Sequence, residues 1–65
     1  MKKFEKVCKA LEEMTYESDN YITVTKNIDG RHNGKYAIKN VITNSVHGFS
    51  FKTLKEIIEY YNLSI

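Results

Sequence analysis

The chain has 65 residues, a formal net charge of +2, one cysteine, no proline and no tryptophan. A chain of this length makes one domain with a thin core, burying only about 60% of its unfolded surface. That weighs against a deep catalytic cleft and towards a binding surface. A single cysteine excludes an intrachain disulfide.

The opening Met-Lys-Lys-Phe-Glu-Lys lacks a signal peptide's apolar core, and no run reaches the roughly 18 apolar residues of a membrane span. The expected location is the cytoplasm, and Asn62-Leu63-Ser64 is then no glycosylation site. Abundant Lys, Asn and Ile fit A/T-rich coding, so a low-GC bacterium or its phage is the expected source. Charge is uneven along the chain. Residues 1–11 carry +3, residues 12–19 carry −4, residues 20–55 carry +5 and the remainder −2.

Residues 3–15 read as a helix. Phe4, Val7, Cys8, Leu11 and Met14 form one apolar stripe, and Glu5–Lys9 is a favourable i,i+4 pair. Residues 15–20 form a polar connector. Residues 21–28 read as a strand, with Ile22 and Val24 alternating with Tyr21, Thr23 and Thr25.

Asp29-Gly30-Arg31-His32-Asn33-Gly34 is then a hairpin loop longer than a two-residue turn, its glycines expected at positive φ. Residues 35–42 form the second strand, with Tyr36, Ile38 and Ile42 on one face and Ala37, Lys39 and Val41 on the other. After a Thr43-Asn44-Ser45 turn, Val46 to Phe49 make a short third strand.

A second helix is expected over 51–62. It is capped by Ser50 with a Phe49–Leu54 staple, or by Thr53 with Glu56 in a capping box. Leu54, Ile57, Ile58 and Tyr61 form its stripe, Asn62 its left-handed terminator, and Leu63 folds back. The expected fold is one α+β domain over residues 1–65, ordered helix-strand-strand-strand-helix. Its three-stranded antiparallel sheet has both helices on one face. Tyr21, Thr23, Thr25, Lys39 and Val41 are expected on the open face.

Catalytic chemistry is not expected. Cys8 sits on an apolar stripe and reads as a small hydrophobe. His32 and His47 have no metal-ligand spacing, and Gly30 and Gly34 lack the Gly-Lys-Ser/Thr and following helix of a phosphate loop. Glu12-Glu13 and Glu56/Glu59 read as helix-surface carboxylates. No cofactor and no metal are expected.

The expected function is a non-catalytic protein-binding module, such as a phage- or mobile-element-encoded inhibitor or regulator of a larger partner. Arg31, His32, Lys26, Lys35, Lys39 and Tyr21 are its candidate contacts. Arg31 is the sharpest, since a guanidinium grips phosphate or carboxylate bidentately. An alternative is RNA or DNA binding through the basic loop, with Lys52 and Lys55 at the start of the last helix. Another is a homo-oligomer joined at a sheet edge or at Tyr60/Tyr61.

In topology the whole chain resembles a double-stranded-RNA-binding domain. That resemblance implies RNA contacts from the first inter-strand loop, where His32 lies, and from Lys52 and Lys55. The family's Lys-Lys-x-x-Ala-Lys cluster is absent, and Ile57 and Ile58 stand where alanines are usual. Phe51 to Tyr61 is similar to the end of SH2 domains, but Tyr21 to Ile28 holds no counterpart of their phosphotyrosine-binding arginine.

Overall fold

The computed structural model describes residues 2–27 and 34–65. In chain order it has α1 (Lys3–Thr15), β1 (Ile22–Lys26), β2 (Tyr36–Asn40), β3 (Val46–Phe51) and α2 (Leu54–Tyr61). The strands form one antiparallel sheet in the order β1-β2-β3. This is the α+β arrangement that the hydrophobic periodicities predict, and α1 has the predicted bounds.

Both helices cover the same sheet face. Val7 and Leu11 of α1 and Ile57 of α2 pack with Ile22, Val24, Ile38 and Phe51 of the sheet. Phe4, Leu54, Ile58 and Tyr61 line the rim of that core. Each buried aliphatic or aromatic side chain contributes roughly 1.5–3 kcal/mol by leaving water. In a chain this short, those few residues decide whether it folds.

Several strand ends differ from expectation for local reasons. β2 stops at Asn40 because its side-chain oxygen accepts the N–H of Ile42 at 2.9 Å and of Thr43 at 3.0 Å. Asn44 then turns the chain at φ 63°. Ile42, expected on the core face, is therefore 77% exposed. β1 is shorter than the expected 21–28. Tyr21 precedes it but keeps a ladder bond, accepting the Val41 N–H at 2.8 Å.

The face away from the helices is less open than expected. Tyr21, Thr23, Thr25, Lys39 and Val41 are all half-buried, and Ala37, between Thr25 and Ser50 in the register, is buried.

β3 extends to Phe51, which pairs with Tyr36. Ser50 is therefore a strand residue opposite Ala37 and not a helix cap. Thr53 caps α2, its hydroxyl accepting the Glu56 N–H at 3.2 Å. The far end of α2 follows expectation. Asn62 sits at φ 55°, its N–H reaches the Glu59 carbonyl, and Leu63 N–H reaches the Ile58 carbonyl at 2.9 Å.

Gly34 serves close approach and not a positive φ. A Cβ there would lie 2.6 Å from Ser50 Cβ and 2.9 Å from the Phe51 nitrogen. The small residue lets Gly34 N–H donate to Ser50 Oγ at 3.1 Å. Gly30 lies outside the described residues. Among the described residues, no helix is long and apolar enough to cross a membrane.

Candidate functional site

Chain direction sorts the charges into two poles. Phe4 at the start of α1 stacks against Tyr36 with ring centroids 5.8 Å apart. Tyr36 pairs with Lys26 on one side and Phe51 on the other. Lys35 N–H donates to the Phe51 carbonyl at 2.9 Å, and only Lys52 and Thr53 separate Phe51 from α2.

One end of the molecule thus collects Lys2, Lys3, Lys26, Lys35, Lys52 and Lys55, all exposed. Its carboxylates among the described residues are Glu5 and Glu56, in the first turns of the helices. At the other end, Thr15 bonds Ile22, and Glu12, Glu13, Glu17 and Asp19 surround the end of α1. Both helices run from the lysine pole, so their positive dipole ends lie there too.

Lys26 and Lys35 are two of the six expected contacts. They line one shallow groove with Asn27, Gly34 and Tyr36, held by Asn27 N–H to the Lys35 carbonyl at 3.0 Å and Asn27 Nδ2 to the Gly34 carbonyl at 2.9 Å. Arg31 and His32, two further candidate contacts, lie outside the described residues. Lys52 and Lys55 join this pole.

Tyr21 does not belong with these lysines. It lies at the opposite end of β1, edge-on to Tyr16 at 5.4 Å, in a groove with Lys9, Glu12 and Glu13. Lys39 is mid-sheet, between Thr23 and Val46 in the register.

A second feature adjoins the lysine pole and was missed in the sequence. Ala37 pairs with Ser50 and Lys39 with Val46, so His47, Gly48 and Phe49 together oppose Ile38. This is a β-bulge. In a regular ladder Phe49 would face Ile38 and enter the core. The bulge leaves it 40% exposed.

Phe49 instead meets Tyr60 of α2 at 6.2 Å, with Phe51 beneath both, at 5.5 Å from Phe49 and 5.4 Å from Tyr60. His47 flanks Phe49 at 5.6 Å. The Phe-Ser-Phe alternation of Phe49 to Phe51 was the available signal, but the strand was expected to end at Phe49, with a helix from residue 51.

Cys8 is half-buried and donates its S–H to the Val24 carbonyl at 3.3 Å. Burial pushes the thiol above its ordinary 9.0, against the lowering effect of hydrogen bonding with Thr23 and the Val24 backbone. A protonated thiol is a poor nucleophile. Burial also raises Tyr61, with Tyr60 adding to the effect. Among the described residues, no group of three His, Cys, Asp or Glu is placed to hold a metal ion. The chain matches no protein-family model, no curated protein and no solved structure.

Proposed function

We propose that this chain is a non-catalytic nucleic-acid-binding domain, acting in the cytoplasm through its lysine pole. The observation that carries the reading is the convergence of Lys2, Lys3, Lys26, Lys35, Lys52 and Lys55. They come from four separate places in the sequence and share one end of the fold. A regularly charged phosphate backbone suits such a spread of exposed ammonium groups, which release its counterions on binding.

An acidic protein partner is less well suited to this pole. A stable protein interface needs a desolvated apolar centre. Of the exposed large hydrophobics, Met14, Tyr16, Ile42, Val46 and Ile65 lie away from these lysines, and the two rings that adjoin them, Phe49 and Tyr60, make a small apolar centre.

Fluorescence anisotropy with labelled oligonucleotides tests this reading. The expected log–log salt slope is about −2 to −4, for a few neutralised phosphates. The combined variant Lys26→Glu, Lys35→Glu, Lys52→Glu should weaken binding by at least about tenfold and flatten that slope. Affinity indifferent to salt, or unchanged in the triple variant, would overturn it.

A second reading is the protein-binding module, an inhibitor or regulator of a larger partner. It is favoured by a different observation. Met14 and Ile65, 52% and 57% exposed, border a groove with Ala10, Leu63 and Ser64. Affinity capture with and without nuclease separates the two. A protein retained after nuclease treatment and lost on Met14→Lys supports the second reading, whereas loss of every partner with nuclease removes it.

A further inference from the structure

We propose that the preferred nucleic acid is single-stranded, and that its unpaired bases stack on Phe49 and Tyr60 while its phosphates follow the lysine pole. This rests on the nucleic-acid reading above and names the form of the ligand. A duplex hides the faces of its bases. Only unpaired bases can stack on protein aromatics, and single-strand binders combine such rings with a basic track.

The two rings have the attributes of a stacking platform. Tyr60 is 66% exposed and Phe49 40%, although both sit against the buried Phe51. Support from below fixes the rings while leaving surface for a base. The space beside them is open, since a Cβ built on Gly48 would meet nothing within 4 Å. His47 extends the row by one more ring.

The platform is continuous with the positive charge. Phe51, the ring under both, is joined through its backbone to Lys35 and is followed directly by Lys52. Glu56 and Glu59 share the exposed side of α2 with Tyr60. They repel phosphate, so the strand's backbone belongs on the Lys35 and Lys52 side with its bases turned towards Tyr60. The bulge is the device that makes this arrangement, because it takes Phe49 out of the core and sets it beside α2.

The experiment compares labelled oligo(dT) of about 15 nucleotides, within the site size of small single-strand binders, with a duplex of equal length. Anisotropy is measured at equal salt, and tyrosine emission provides a second signal because the chain lacks tryptophan. Oligo(dT) should bind at least about tenfold more tightly than duplex and quench tyrosine emission.

Tyr60→Ala and Phe49→Ala should each weaken oligo(dT) by roughly 5- to 100-fold without changing the salt slope, and Tyr60→Phe should retain affinity. Phe49→Leu serves if Phe49→Ala unfolds, as judged by circular dichroism. Equal affinity for duplex, or indifference of oligo(dT) to Tyr60→Ala, overturns this inference and leaves the lysine-pole reading standing. Failure of both probes to bind at low salt overturns both. A protein captured after nuclease treatment and lost on Tyr60→Ala would assign the rings to a protein partner instead.

Discussion

The two edges of the sheet are treated in opposite ways. At the β1 edge, α1 takes over several of the outward backbone groups. Thr15 Oγ1 accepts the Ile22 N–H at 3.0 Å and donates to the Leu11 carbonyl at 2.8 Å, with the Ile22 carbonyl 3.4 Å away. Cys8 covers the Val24 carbonyl, and Thr23 Oγ1 donates to Glu12 at 2.7 Å. That edge is closed to another strand.

The β3 edge is interrupted by a bulge and carries exposed rings. An edge closed by bonds from within the chain is spent on stability, while one that displays aromatic surface is free to bind. The contrast implies that β1-side changes register chiefly in folding and β3-side changes chiefly in binding.

The strongest test is Leu11→Ala. Leu11 is fully buried where α1 meets the sheet. Its truncation should cost about 2–5 kcal/mol, comparable to the roughly 3–5 kcal/mol that so small a core supplies. Urea titration should find the variant largely unfolded without denaturant.

Thr15→Val comes next. It keeps the shape but leaves the Ile22 N–H without its acceptor, at an expected cost of about 1–3 kcal/mol. Thr15→Ser should recover most of that. Hydrogen exchange at the Ile22 amide is the specific readout, and protection unchanged in Thr15→Val would refute the closed-edge account.

Alkaline pH should loosen the same edge. The folded state holds the Cys8 proton more tightly than the unfolded chain does. Stability from this group is therefore complete below the ordinary 9.0 and declines as pH rises above it, through the raised folded value. Cys8→Val should flatten that decline in denaturation curves measured from pH 8 to 10.

The smallest stability effect belongs to the other edge. Tyr60→Ala, at a residue 66% exposed, should shift the folding free energy by less than about 1 kcal/mol, while its effect on oligo(dT) binding is large. A loss of stability comparable to Leu11→Ala would mean that Tyr60 serves the core, and the contrast between the edges would fail.

Much of the architecture was legible in short windows of sequence. The Phe4-Val7-Leu11 spacing marked α1, the Ile22/Val24 alternation marked the buried face of β1, and Asn62 marked the end of α2. These signals need only the 3.6- and 2-residue periods and the left-handed tolerance of asparagine. Thr53 with Glu56 was also readable, as one of two competing caps.

What sequence could not decide depends on partners far along the chain. Ser50 is a strand residue because Ala37 lies opposite, Gly34 is small because Ser50 approaches it, and Ile42 is exposed because Asn40 bonds its amide. The bulge that frees Phe49 exists only in the register between β2 and β3. Likewise Lys2 and Lys52 come to the same pole only because Phe4 meets Tyr36 and Tyr36 meets Phe51. Local periodicity determines which elements form, but the meeting of distant residues is set by strand register and helix direction, which arise when the whole chain packs.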